Sequence, residues 1–417
     1  MLLKERSKEL GGEMRDAYGA ALADLLQTND KIMILDSDLG GASFFIRFKK
    51  THPEHFIDVG ICEANMFGVA AGLSMMGYTP FVHTMSAFVT RRALDQVYIS
   101  CAYSKNTVNI YASDPGFCSG FDGGTHTCFE DMAVFRAMPN AIVCDPCDQV
   151  QLDWMVRACA ARNDGAVHYI RAYRKGVRPV YEPGTPFELG KGQVLIPGDD
   201  VLLVSSGYVM SAALDAAEAL RAEGVSVEVV DPVTIKPFDE ALIREQAQGK
   251  KLVCTFENHS VINGLGSAVA DVLAKNAIAV PLLKVGAQDV FGQVGMIDLL
   301  QKEFKLTAEG RPRRFHSIPA CFLFLVQFYS RIPVPDHLYY YRNRRTGTFP
   351  GIPFRPSAVF NRNDLYDCLY SPVPATMERY LRQRSKPDQR DRRHHVYRLY
   401  FAEHLILRAK PAPHKVV

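Results

Sequence analysis

GICEANMFGVAAGL, residues 60–73, sets a carboxylate beside a run of small apolar residues. Met66, Val69, Ala70 and Leu73 recur at helical spacing and form one packed face, with Glu63 at its start. Taken alone, such an acid suits a helix N-terminus, where it answers the macrodipole. The segments on either side give it a second meaning.

Upstream, MRDAYGAALADLLQ is patterned as a helix, and KIMILDSDL follows as a short buried strand ending in acids. Downstream come PFVHTM, the helical RRALDQVYISCAY, and the strand-like runs VNIYAS, AIVCDP and AVHYIRAY. Apolar strands separated by helices predict a parallel sheet covered on both faces. A Pro- and Gly-marked stretch, RPVYEPGTPFELGKGQ, reads as a linker. A second alternation follows: DVLLVSSG, ALDAAEALRAEG, SVEVVD, DEALIREQAQ, KLVCTFEN, GLGSAVADVLAKN and VPLLKVG. The expected architecture is α/β, with two doubly wound domains over 1–180 and 193–310 joined by a linker at 181–192.

The last stretch, 311–417, differs in kind. It holds 17 Arg and 3 Lys against 7 acidic residues, a net +13, while the preceding residues carry a net −10. It has 12 of the 24 prolines and 9 of the 18 tyrosines, but 2 of the 30 glycines. No periodicity of 3.6 or 2 runs through it, and it resembles a disordered extension or translation in a shifted frame. Phosphate contacts and base stacking would suit an Arg- and Tyr-rich tail, yet no nucleic-acid-binding motif is present, so that class is disfavoured. The ten cysteines follow no framework spacing, and CDPC (144–147) lacks a second pair for zinc, so it reads as buried thiols ahead of a redox pair. The charged start MLLKERSKEL is no secretory signal, and ACFLFLVQF is too short to span a bilayer, which predicts a cytoplasmic chain.

Four segments place polar groups and turn residues where strands should end: DSDLG (36–40), GICEANM (60–66), SAFVTRRALDQ (86–96) and SGFDGGTH (119–126). In parallel sheets ligands sit at the carboxyl ends of strands, so four such loops predict one shared pocket. In this order, together with CDPCDQVQL, ENHSVINGLGSAVADVL and GAQDVFGQVG, the motifs resemble the C-terminal half of a transketolase. More narrowly, they resemble the separate small subunit of a two-chain transketolase. The resemblance spans roughly residues 12 to 310.

That resemblance implies a pyrimidine-binding domain, then a transketolase C-terminal domain, with thiamine diphosphate lying across a subunit interface. Its diphosphate and Mg2+ would be held by a motif of an N-terminal transketolase subunit. This chain lacks that motif: its GDD (198–200) precedes a strand and lacks the motif's downstream asparagine, so no metal ligand is expected here and a partner is required, as an α2β2 heterotetramer. Glu63 would hydrogen-bond the aminopyrimidine ring nitrogen, turning the exocyclic amine into the base that activates the thiazolium. Phe88 would stack on the pyrimidine, Met85 would replace a second aromatic, and Asp38 would lie near the thiazolium, with Asp36 close enough to be confused with it. His126 and Asp122 would face the substrate. Arg92 and Arg171 would bind its phosphate, with Arg91 and Arg174 as neighbouring alternatives.

One departure bears on the sugar. Full-length relatives carry a histidine where YASDPGFCSG (111–120) has none. The implied activity is transfer of a two-carbon ketol unit between sugar phosphates. The alternatives are a 2-oxoacid dehydrogenase β subunit, which shares both domains and the glutamate, and an inactive subunit with an aberrant C-terminus.

Overall fold

The computed structural model describes residues 7–304. The end of the expected second domain, 305–310, and the atypical extension expected over 311–417 lie outside the described residues. Twelve strands form two sheets within the described residues. The first domain contributes β1 (Ile32–Asp36), β2 (Phe56–Asp58), β3 (Thr79–Met85), β4 (Val108–Ser113), β5 (Ala141–Cys144) and β6 (Val167–Ala172). The second contributes β7 (Gln193–Ile196), β8 (Val201–Ser205), β9 (Val227–Asp231), β10 (Thr234–Lys236), β11 (Leu252–Ser260) and β12 (Leu282–Ala287).

The seven-stranded sheet runs β10-β5-β6-β4-β3-β1-β2, parallel except for β10; the five-stranded sheet runs β12-β11-β8-β9-β7, parallel except for β7. Central strands such as β1 and β4 are buried at every position, which explains their unbroken apolar runs. β2, β7 and β10 were not anticipated in the sequence. Each is an edge strand, and none carries the continuous apolar run that marks a strand buried on both faces. β10, a short second-domain segment, pairs with β5 of the first.

Helix α1 (Met14–Leu26) covers one face of the large sheet through Tyr18, Ala21 and Leu22. On the other face, α2 (Glu63–Met75) buries Met66, Phe67, Ala70 and Ala71, with Val69 and Leu73 packed partly against the core. The expected helix RRALDQVYISCAY is broken. Helix α3 (Ser86–Arg91) stops at the arginines, and a single turn at Leu94–Gln96 leads into a π-helical stretch over Val97–Tyr103. The break leaves Arg91 and Arg92 at a helix end, where cations are favoured and each can take its own direction. No helix among the described residues is long and apolar enough to cross a membrane.

Candidate active site at the strand ends

The parallel register stacks polar residues at one end of the large sheet: Asp36 lies opposite Asp58 on β2 and His83 on β3. Asp36 is fully buried. Its carboxylate meets His83 Nδ1 at 2.8 Å and accepts the Leu39 amide at 2.5 Å, while His83 Nε2 lies 3.2 Å from Ser113 Oγ. This buried chain pins the DSDLG turn. Asp38, in the left-handed region at φ 60°, is exposed, and its amide donates to Asp58. The two acids of DSDL are therefore told apart by burial: Asp36 is structural and Asp38 faces outward.

Glu63 begins α2 and is 4% exposed. Its Oε1 accepts Arg92 Nη1 at 2.8 Å. The same guanidinium lies 3.8 Å from the centroid of the Phe88 ring. Phe88 in turn meets His126 nearly edge-on, with centroids 5.0 Å apart and planes at 63°. Met85, Ala87, Phe88 and Cys128 form one small apolar cluster, on which Leu39 packs. Glu63, Arg92, Phe88, His126 and Met85 thus form one continuous patch, with Asp38 next in sequence to Leu39.

Arg91 turns the other way. Its Nε donates to Glu130 at 2.6 Å, and its Nη atoms reach the carbonyls of Thr125 (3.3 Å) and Thr127 (2.7 Å). It ties the His126 loop to the helix carrying Phe88, and its pairing with Glu130 raises its pKa despite the opposing effect of burial.

The glycines of DGGTH serve the second domain. A Cβ on Gly124 would sit 2.3 Å from the Gly292 carbonyl oxygen, and one on Gly292 would sit 2.2 Å from Thr127 Cβ. GAQDVFGQVG and DGGTH are thus pressed backbone to backbone, and the Gly295 amide donates to the Gly120 carbonyl at 3.0 Å. From ENHS, Asn258 donates to the Pro115 carbonyl and accepts the Phe117 amide, bracing the loop that leads into DGGTH. A cavity of about 710 Å³ lies between these loops, lined by Arg91, Thr125, Glu130, Ser260, Asp289 and Phe291 among others.

Two expected site residues lie elsewhere. Arg171, expected to bind a phosphate, has a fully buried side chain. Its guanidinium contacts Asp131 at 2.7 Å, Asp145 at 3.1 Å and the Asn258 carbonyl at 2.9 Å. That fork is held by two carboxylates and closed to solvent, so the phosphate-binding reading is corrected: Arg171 is a structural link between the domains. Burial works against ionisation throughout this network. The Arg171 charge and the hydrogen bonds from Arg171 and Tyr169 nevertheless hold Asp131 low, whereas burial prevails at Asp145 and raises it. Asp122 is exposed and lies 3.7 Å from Arg174, which also binds the buried Asp114 at 3.0 Å. Burial pushes Asp114 up to about 6, with Arg174 pulling against it. Among the described residues, the ion pair of Asp122 is with Arg174, away from Glu63.

Sequence reading missed the clamp made by Arg91, the buried Asp36–His83–Ser113 chain and the role of Leu39. The one available signal was His83, a polar residue inside the apolar run PFVHTM. Cys144 and Cys147 are buried free thiols.

The chain matches the transketolase pyrimidine-binding domain over residues 12–179 and the transketolase C-terminal domain over 190–310. It is 42% identical over 305 residues to the 6-deoxy-6-sulfo-D-fructose transketolase subunit of Clostridium sp. (strain MSTE9), covering 73% of this chain and 94% of that one. It is 36% identical to the Homo sapiens transketolase, aligning 65% of this chain with 44% of that protein. A solved split-gene transketolase, described as an inactive beta4 tetramer, superimposes with a TM-score of 0.65 at 41% identity, over 71% of this chain and 94% of that one.

Proposed function

The chain belongs to the transketolase family, and we propose that it is the small subunit of a split transketolase whose active site is completed by a second polypeptide. When bound, thiamine diphosphate supplies the carbon nucleophile and electron sink through which a two-carbon ketol unit passes from a ketose to an aldose. The residues present suit its pyrimidine end. A buried carboxylate and an aromatic face already hold a planar N–H donor between them, in the form of the Arg92 guanidinium. The diphosphate end is left to another chain in this reading, because the GDD at 198–200 lacks the asparagine that follows at the family motif's spacing. We assign the diphosphate and Mg2+ to an N-terminal transketolase subunit, in an α2β2 assembly. The relative described as an inactive tetramer of β subunits supports a need for that partner.

In this reading Glu63 holds a proton at the aminopyrimidine ring nitrogen, and its burial keeps water from competing for that hydrogen bond. Phe88 offers its ring face to the pyrimidine, while Met85 fills the space behind it. Asp38 stands by the thiazolium. His126, set against Phe88, holds or gives up a proton at the donor sugar's hydroxyls. Asp122 accepts a hydroxyl hydrogen bond, and Arg92 takes the substrate phosphate. The observation that carries the proposal is the joint presentation of Glu63 and Phe88 at the strand ends, braced by loops of the second domain.

Co-expression with an N-terminal transketolase subunit, followed by ketol-transfer assays, tests it. Thiamine diphosphate-dependent turnover of a ketose phosphate with an aldose phosphate, absent from either chain alone, is expected. A sulfonated ketose arm shows which anion is preferred, since one relative is named for such a sugar. Turnover of pyruvate or a branched oxoacid alone would overturn the transketolase reading.

A further inference from the structure

We infer that Arg92 is an internal stand-in for the aminopyrimidine, filling its seat in the unloaded subunit and leaving when the cofactor enters. The inference rests on the reading above and extends it to the cofactor-free state. Two contacts define the seat: an N–H donated to the buried Glu63 carboxylate, and a flat π surface laid on Phe88. Arg92 makes both, at 2.8 Å and 3.8 Å. A heterocycle bonded to Oε1 and stacked on the same ring face would need the volume the guanidinium fills. The two cannot be present together.

Burial makes such a device useful. Glu63 is enclosed, and a carboxylate buried without a partner is costly, so an unloaded subunit needs something to hold it. Arg92 suits the task because its own side chain is half exposed. It can swing away by side-chain rotation without disturbing the core. Charge stays balanced through the exchange: as the guanidinium leaves, one proton taken up from solvent comes to lie between Glu63 and the ring nitrogen. Arg91, one residue earlier, cannot act this way, because Glu130 and two loop carbonyls hold it. The released guanidinium then becomes available to an anion, so cofactor entry and anion binding are coupled in that order.

The test is calorimetric titration of thiamine diphosphate, with Mg2+, into the complex of this full chain and an N-terminal transketolase subunit. Arg92→Ala removes a half-exposed ion pair and a stacking contact that the cofactor must otherwise displace, so it should bind roughly tenfold more tightly than wild type. Arg92→Lys, which keeps the charge and loses the planar fork, should fall between them. Unchanged or weaker binding by Arg92→Ala overturns the inference while leaving the proposed function standing. If that variant does not assemble, Arg92→Lys decides, and binding no tighter than wild type overturns the inference. A wild-type complex that does not bind thiamine diphosphate overturns both.

Discussion

Two arginines that the sequence presents as one phosphate clamp occupy opposite environments. Arg92 is half exposed and holds one carboxylate and one ring; Arg171 is fully enclosed and holds two carboxylates and a carbonyl. The chemistry of each contact is the same, but surroundings decide its use. An ion pair whose cation stands half in water can trade that cation for a ligand. An enclosed one cannot lose a partner without stranding charge, so it fixes structure.

The largest effect should come from breaking the enclosed network. Arg171→Met would leave Asp131 and Asp145 without their cation and should cost about 3–5 kcal/mol. At roughly 2 °C or more per kcal/mol, thermal unfolding should fall by about 6 °C or more. Arg92→Met leaves one carboxylate, Glu63, unpaired rather than two, and should cost less, about 1–3 kcal/mol. Equal shifts in the two variants would erase the distinction between them.

A smaller effect sharpens the same contrast. His259 borders the network, 3.8 Å from Asp131. Its Nδ1 donates to the Ser260 carbonyl and its Nε2 accepts the Ala133 amide, a pattern that requires the neutral ring. Burial pushes its pKa down to about 4, against the pull of Asp131. An unfolded histidine titrates near 6.5, so the stability held by the neutral ring is present above about 6.5. It is lost as pH falls toward 4, by at most about 1.4 kcal/mol per unit. His259→Gln should flatten that part of the profile in urea titrations at pH 7 and pH 5. Parallel losses in both proteins would show that His259 carries none of it.

The contrast also marks what the sequence could reveal. Central strands and the Glu63 helix announce themselves through continuous or periodic apolar residues, and Glu63, Phe88 and His126 do lie together as their motifs suggest. The edge strands β2, β7 and β10 lack that signal. The partners of Arg171 were hidden for another reason. Asp131, Asp145 and the Asn258 carbonyl reach it from three separate segments, so its burial depends on how the second domain docks. The contact between Gly124 and Gly292 is equally non-local. Local patterning carries the elements, while the choice of ionic partner belongs to the packing of segments distant in sequence.

The central claim is that this chain supplies the activating carboxylate to a site shared with another subunit. Glu63→Ala in the co-expressed complex tests it most directly. The account predicts that ketol transfer falls by about a hundredfold or more while the subunits still co-purify in unchanged ratio. Activity that survives the substitution in an intact complex would contradict it.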